Sequence, residues 1–344
     1  MPNKTLPPGK LPPGLLRRLL ATYAKPGPGV VVGPGIGVDA AALDLGQPDE
    51  YLLAKSDPIT FVAEDLGAYA TAVNANDIAC MGGTPKWFLA TVILPEGGAD
   101  EETVEGIFRA VSEACTALGI SLVGGHTEIT HGLDRPIIVG QMLGSVKKDA
   151  LITPAGARPG DTIILTKGIA IEAVSVLARI KAEELSGAYH EDFVAKCRDF
   201  IKEPGISVLK DAQTAIRVGK VHCLHDPTEG GLSSGLYEIA EAAGVGLTVR
   251  GEDIRVLPEA FELLGRYGLD PLGSIASGAL LITAKPSDAG NIISALEAEG
   301  IHAYDIGTVT EKSAGVKLVR AGEAVDLPAF ERDEITKIFG QAIQ

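Results

Sequence analysis

The segment 222–231, with the sequence His-Cys-Leu-His-Asp-Pro-Thr-Glu-Gly-Gly, carries the residue types best suited to chemistry in this chain. An apolar stretch ends just before Asp226, and a helical pattern over 232–242 begins after the paired glycines. This order predicts that Asp226 lies at a strand-to-helix turn, where the ligands of α/β sheets bind. Glycines allow a ligand to approach the backbone closely, and free N–H groups at a helix start favour an anion. Glu229 also fits a favourable charge in the first helical turn.

Two further carboxylates accompany strand-like segments early in the chain. In Gly33-Pro-Gly-Ile-Gly-Val-Asp39, the alternating glycines could present N–H groups to a phosphate while Asp39 holds a metal ion. The same pattern also fits a flexible turn after a strand. In Lys55-Ser-Asp57-Pro, we expect the strand to end at Asp57, and the charged triplet fits either a site or a solvated turn.

A helical pattern over 65–81 places a carboxylate among its apolar positions. Asp77 lies four residues after Val73 and four before Met81, so the three side chains share one face of the helix. A carboxylate on an apolar face is costly unless it is paired, hydrogen-bonded or bound to a metal. We therefore favour a functional Asp77 over the alternative, a structural hydrogen bond near the helix end.

The segment Gly124-Gly-His-Thr-Glu128 follows residues 120–123, which we predict to be a short buried strand. His126 and Glu128 become candidate catalytic residues because they occur together after paired glycines. Taken singly, His126 also fits a structural histidine and Glu128 a solvent-facing acid.

Acidic groups on separate segments with glycine loops between them suit one kind of ligand. Mg²⁺ prefers oxygen ligands and shares them between a few carboxylates and substrate phosphates. Lys55 and Lys167 are candidate phosphate-binding cations, although for Lys167 we favour an ordinary surface charge. Neither a P-loop nor a dinucleotide-binding fingerprint occurs.

The bulk composition excludes several classes of protein. A net charge of −15 argues against a nucleic-acid surface, which needs a basic stripe. No apolar run reaches transmembrane length. The four cysteines are far apart and form no Cys-x-x-Cys pair, which argues against a zinc site. Without a basic-then-apolar leader pattern, we expect a cytoplasmic protein with free thiols and no membrane partner.

Strand-like and helical patterns alternate along the chain, which predicts an α/β fold. The predicted helices cover 15–23, 65–81, 100–118, 169–184, 206–218 and 232–242. The predicted strands cover 30–32, 51–56, 87–94, 120–123, 136–146, 161–166, 221–224, 246–249, 279–283 and 302–308. Residues 2–14 are expected to form a loose arm. A proline- and glycine-rich stretch after Thr153 predicts two domains, 1–153 and 154–344.

These motifs, in this order, resemble the superfamily of aminoimidazole ribonucleotide (AIR) synthase, thiamine-monophosphate kinase, selenophosphate synthetase and hydrogenase-maturation HypE. The resemblance rests on 33–42, Lys55 to Asp57, Asn74-Ala-Asn-Asp-Ile-Ala-Cys-Met-Gly-Gly-Thr-Pro85, 124–128 and 226–232. Within the superfamily, 226–232 and Gly268-Leu-Asp-Pro-Leu272 look most like HypE.

The resemblance implies a two-domain enzyme that binds ATP and Mg²⁺. It implies a homodimer in which the amino-terminal sheet domains pair, followed by a carboxy-terminal α/β domain. The metal and phosphate ligands carried over by motif are Asp39, Asp57, Asp77 and Asp226. The cofactor-binding candidates carried over are Gly33, Gly35, Gly37, Lys55, Asn76, Gly124, Gly125 and Thr127. The 124–128 segment is expected beside the triphosphate.

The implied function is that of a HypE-like enzyme that uses ATP to activate an oxygen of a small-molecule or protein-borne acyl substrate. The alternatives are a kinase of the thiamine-monophosphate type and a non-catalytic nucleotide-binding partner in a maturation complex. HypE proteins end in a cysteine that carries a carbamoyl group, whereas this sequence reads Gly340-Gln-Ala-Ile-Gln344 there. We therefore expect no carbamoyl adduct on this chain. The HypE-like sequences also carry other residues at Val38, His126 and Ser277.

Overall fold

The protein folds around two β-sheets in a computed structural model that describes Leu6 and residues 8–339. The described residues do not include residues 2–5 and 7 of the predicted arm. The terminal segment 340–344, whose sequence is the basis for expecting no carbamoyl adduct, also lies outside the described residues. In the described part, the arm leads from residue 8 into the first helix, which begins at Pro13. No helix in this part is both long and apolar enough to cross a bilayer.

The first sheet has six strands in the order β1-β2-β3-β6-β4-β5. Its strands are β1 (Val30–Val32), β2 (Ala41–Leu43), β3 (Glu50–Ile59), β4 (Thr84–Pro95), β5 (Ser121–Thr130) and β6 (Ile137–Lys147). The accompanying helices are α1 (Pro13–Tyr23), α2 (Leu66–Cys80) and α3 (Glu101–Ala117). Asp100 caps α3, because its Oδ1 accepts the Thr103 N–H at 2.8 Å.

Helix α2 lies between this sheet and α3 and is buried on almost every side rather than along one stripe. Its small residues allow this close packing. A Cβ on Gly67 would lie 2.3 Å from the backbone nitrogen of Val111 in α3. Any polar side chain on α2 is therefore forced into the interior, and Asp77 is one of them.

The second sheet has seven strands in the order β13-β12-β9-β11-β7-β10-β8. Its strands are β7 (Thr162–Thr166), β8 (Val221–His225), β9 (Gly246–Arg250), β10 (Leu281–Ala284), β11 (Ala303–Thr310), β12 (Val316–Arg320) and β13 (Glu323–Asp326). The helices are α4 (Ile171–Ile180), α5 (Ala182–Ser186), α6 (Glu191–Arg198), α7 (Leu209–Val218), α8 (Gly231–Ala243), α9 (Pro258–Arg266), α10 (Pro286–Ala298) and α11 (Thr336–Phe339). The α/β class is confirmed, and the boundary at 153 stays a prediction.

The prediction of a short buried strand over 120–123 is wrong. Strand β5 continues through both glycines to Thr130 and forms an exposed edge of the first sheet. It pairs in parallel with β4, and a Cβ on Gly125 would lie 1.9 Å from the carbonyl oxygen of Ala90. The absence of a side chain thus lets the glycine lie against β4 instead of breaking the strand.

Candidate functional site

Three buried aspartates from distant parts of the chain meet between the two sheets. Asp39 lies in the loop between β1 and β2, Asp77 on α2, and Asp226 directly after β8. One carboxylate oxygen of each lies within 4.8 Å of the others. Both sheets therefore contribute to this cluster, which we call the aspartate cluster.

The second oxygen of every carboxylate in the aspartate cluster is unsatisfied. Oδ2 of Asp39, Asp77 and Asp226 is buried and has no hydrogen-bond partner among the described residues. A buried carboxylate oxygen without a partner is costly, and Mg²⁺ prefers such hard oxygen ligands. The donor set therefore fits a divalent cation.

Burial raises the pKa of both Asp77 and Asp226, and in each case neighbouring carboxylates add to the effect. The pKa of Asp226 reaches about 7. The ligand-free cluster thus holds its negative charge at a cost, because each carboxylate repels the others in a medium of low polarity. A bound cation would relieve that cost.

Lys55 is the lysine that reaches the aspartate cluster from within the first sheet. Its Nζ lies 3.1 Å from Asp77 Oδ1 and 3.2 Å from Asp57 Oδ2. Burial alone would lower the pKa of Lys55, but Asp77, Asp57 and Asp39 raise it far above its usual value. Lys55 is therefore a fixed ammonium at the margin of the cluster.

Asp57 lies inside β3, so the expectation that the strand ends there is wrong. Strand β3 pairs with β6 from Glu50 through Ile59, because the cross-strand ladder continues past the charged triplet. Asn74 on α2 fixes this stretch: its Oδ1 accepts the Asp57 N–H at 2.9 Å, and its Nδ2 donates to the Asp57 carbonyl at 3.3 Å.

His225 and Glu238 belong to the site but were not predicted from the sequence. His225 Nδ1 lies 2.8 Å from Asp39 Oδ1, and its Nε2 lies 2.8 Å from Glu238 Oε2. Burial alone would lower the pKa of His225, but the two carboxylates raise it well above its usual value. The imidazolium of His225 holds Asp39 in place. In the sequence, the signal that could have identified His225 is its position directly before Asp226.

A cavity of about 380 Å³ opens above the aspartate cluster. The glycine loop forms one wall, with Gly35 and Gly37 among the lining residues, and Thr228 to Gly230 form another. Gly37 has a φ of +71°, and a Cβ there would lie 2.9 Å from the Glu238 carbonyl oxygen, so only glycine fits. Gly33 instead packs near Pro26 and is not among the residues that line the cavity.

The 124–128 motif lies elsewhere in the protomer. Gly124, Gly125, His126, Thr127 and Glu128 are all on the exposed strand β5, which β4 and β6 separate from β3. His126 Nε2 lies 3.1 Å from Glu128 Oε2. A single protomer therefore does not bring this motif to the aspartate cluster.

Two predicted residues have structural contacts instead of facing the cavity. Asn76 donates from Nδ2 to the Ile206 carbonyl at 2.9 Å and accepts the Val208 N–H on Oδ1 at 2.8 Å. Lys167 is buried, so the surface-charge interpretation is wrong. Its Nζ donates to the Ser207 carbonyl at 2.6 Å and lies 3.3 Å from Asp211.

All four cysteines are buried. Burial raises the pKa of each thiol, to about 12 for Cys197 and well above the usual value for Cys80 and Cys223. A buried thiol of high pKa is a poor nucleophile. We therefore expect these four side chains to be poor nucleophiles towards an acyl group.

Comparison with protein families identifies the lineage. The model of the AIR synthase related protein, N-terminal domain, matches residues 37–146, and that of the C-terminal domain matches residues 158–319. The chain belongs to the AIR synthase-related family. The family resemblance predicted from the motifs is thereby confirmed.

Relatives within the AIR synthase-related family include HypE and selenophosphate synthetase. Carbamoyl dehydratase HypE of Cupriavidus necator is 30% identical over 258 residues, which cover 74% of this chain and 70% of the relative. Selenide, water dikinase of Dechloromonas aromatica is 28% identical over 345 residues, covering 90% and 94%. A crystal structure of HypE in complex with ATP has a TM-score of 0.71 at 24% identity and covers 92% of this chain and 95% of that one.

Proposed function

We propose that this AIR synthase-related protein is a Mg²⁺-dependent enzyme that uses ATP to phosphorylate or otherwise activate an oxygen of an acyl- or amide-type substrate. The observation that carries the proposal is the aspartate cluster, whose three residues each have one unsatisfied oxygen and line a cavity walled by a glycine loop. A HypE relative that binds ATP supports the nucleotide. Relatives named hydrogenase expression/formation protein and hydrogenase maturation protein HypE support a role in hydrogenase maturation. A cytoplasmic location is part of the same proposal.

The residues of the site have separate roles that suit phosphoryl transfer. Asp39, Asp77 and Asp226 would hold Mg²⁺, which when bound neutralises charge on the phosphate oxygens. Lys55 faces the same cavity as a fixed ammonium. His225 fixes the Asp39 carboxylate, so this ligand does not need to reorganise during the reaction.

Calorimetry with ATP in the presence and absence of Mg²⁺ tests the proposal. We expect binding with Mg²⁺ and far weaker binding in EDTA, because the carboxylates that line the cavity outnumber its lysines and arginines and repel a bare triphosphate. Equal affinity in the two conditions, or no binding in either, would contradict the proposal.

We propose that a second copy of the chain covers β5 and forms a homodimer. The strand exposes Val123 (52%) and Ile129 (59%) along an unpaired edge of ten residues, and such edges invite pairing with another chain. Pairing of this kind would also carry the 124–128 motif to a new neighbour.

Sedimentation at low protein concentration is expected to show a dimer, and Ile129→Lys is expected to shift it towards monomer, because a charge would be buried in the interface. Val325→Lys is the matched control: Val325 is 48% exposed on β13, an edge of the other sheet. A wild-type monomer at every concentration, or equal dissociation by both variants, would refute an interface at β5.

A further inference from the structure

The cavity above the aspartate cluster has few positive charges for a site expected to receive a triphosphate. The carboxylates that line it are Asp39, Asp57, Asp77, Asp226, Glu229, Glu238, Glu331 and Asp333. The lysines and arginines that line it are Lys10, Lys55 and Arg332. Each ammonium in this cavity therefore carries a large share of the attraction for an anionic ligand.

Lys10 reaches the cavity from the segment before α1, which is far in sequence from the rest of the site. Its backbone N–H donates to Glu229 Oε2 at 2.9 Å, and its Nζ donates to Thr228 Oγ1 at 3.1 Å. Both partners belong to the loop that follows Asp226. The docked segment thus holds an ammonium at the entrance to the aspartate cluster.

The contacts of the Lys10 side chain use only part of the hydrogen-bonding capacity of its ammonium among the described residues. Its closest carboxylate oxygen is Glu238 Oε1 at 3.7 Å, and Glu238 already accepts from His225 at 2.8 Å. An ammonium has three donors, and among the described residues the Lys10 ammonium uses one, towards Thr228. The side chain is half exposed, so the other two are accessible from the cavity.

Helix α1, which follows the Lys10 segment, is held against α8 by an ion pair. Arg17 Nε donates to Glu241 at 3.1 Å, outside the cavity. Leu11, Pro13 and Leu16 line the same cavity as Lys10. The carboxylates of Glu238 and Glu229 raise the pKa of Lys10, so the ammonium stays charged at neutral pH.

We propose that Lys10, together with Lys55, binds the terminal phosphate of ATP and stabilises the charge on that group as it is transferred. This inference rests on the proposed function and adds a residue to the same site. Lys55 and Lys10 reach the cavity from different elements. Lys55 belongs to β3 of the first sheet, and Lys10 belongs to the segment before α1, where its Nζ contacts the loop after β8. Together they would contact a phosphate that the carboxylates alone repel.

In the transfer, a bond forms between the γ-phosphorus and the acceptor oxygen. The bond from the γ-phosphorus to the β–γ bridging oxygen breaks, and that oxygen leaves on ADP with the electron pair. With water as the acceptor, one of its two protons stays on the phosphate product and the other is released to the solvent. Lys10 makes no covalent bond in this step and contributes charge and a hydrogen bond to the γ-phosphate oxygens.

A comparison of triphosphate with diphosphate binding isolates this contact. Calorimetry would use Mg²⁺ with a non-hydrolysable ATP analogue and Mg²⁺ with ADP, on the wild type, Lys10→Met and Lys25→Met. Lys25 is exposed in the loop after α1 and does not line the cavity. Lys25→Met is therefore the matched control, because it removes the same charge outside the cavity. Thermal melting of each variant checks that the fold is intact.

We expect Lys10→Met to lose about 10- to 100-fold in affinity for the triphosphate, the usual range for a charged hydrogen bond. Its affinity for ADP should change by less than about twofold, because the lost contact is to the third phosphate. Equal losses for both nucleotides, or none for either, would overturn the role of Lys10 while leaving the proposed function standing. If the wild type bound neither nucleotide, both proposals would fail.

Discussion

Replacing Asp77 with asparagine is expected to abolish most Mg²⁺-dependent ATP binding without destabilising the ligand-free protein. The two side chains are nearly isosteric, but the amide lacks the charge that a divalent cation requires. Loss of an outer-shell partner of a metal typically costs about 10- to 100-fold, so loss of a direct ligand should cost at least about 100-fold. Calorimetry with ATP and Mg²⁺ measures the change.

The melting temperature of ligand-free Asp77→Asn should stay the same or rise slightly. Burial raises the pKa of Asp77 and the neighbouring carboxylates add to the effect, so removal of its charge lowers the cost of burial and reduces repulsion. Lys55 retains Asp57 as a partner at 3.2 Å. Asp49→Asn, at an exposed position before β3, is the matched control and should bind ATP normally. A large loss of stability with unaltered ATP affinity would show that Asp77 is structural.

The position of Asp77 was predictable because its chemistry conflicts with its surroundings. Four-residue spacing from Val73 and Met81 placed it on an apolar face, and the structure buries it. The spacing predicted burial along one face of α2 only, whereas the helix is packed on nearly all sides. A periodicity argument assumes one solvent-facing side, and a helix of small residues enclosed by a sheet and another helix has none.

The residues that sequence reasoning missed depend on contacts between distant segments. Asp39 and His225 are 186 positions apart, and Lys10 and Glu229 are 219 apart. No local spacing encodes such pairs. Asn76 is the opposite case, a residue for which the motif predicted a ligand contact. In the structure, its amide nitrogen and amide oxygen both bind the backbone, at residues 206 and 208.

Replacing Lys55 with methionine should also abolish ATP binding, but with the opposite effect on stability. The change leaves Asp77 and Asp57 without the ammonium that lies 3.1 and 3.2 Å away. Removing one partner of a buried ion pair costs about 3–5 kcal/mol. Lys55 is 19% exposed, so we expect the free energy of unfolding to fall by roughly 2–3 kcal/mol. Chemical denaturation of the ligand-free protein measures the loss.

Mg²⁺ alone should restore part of that stability, and this distinguishes an electrostatic loss from a packing defect. A cation that binds only the folded state stabilises it by an amount that grows with its concentration. Without Lys55 the aspartate cluster has one positive charge fewer, so Mg²⁺ should raise the melting temperature of Lys55→Met more than that of the wild type. Lys86→Met removes a partly exposed lysine 3.8 Å from Glu50 and should change stability by less than about 0.5 kcal/mol. If Lys55→Met had the same stability as Lys86→Met, or if Mg²⁺ stabilised the wild type and Lys55→Met equally, the carboxylates would not be competing for a cation.

Asp77→Asn and Lys55→Met are thus expected to change stability in opposite directions, although both lose ATP binding. The common cause is the excess negative charge of the site. Mg²⁺ binding needs this charge, and in the ligand-free protein Lys55 partly balances it.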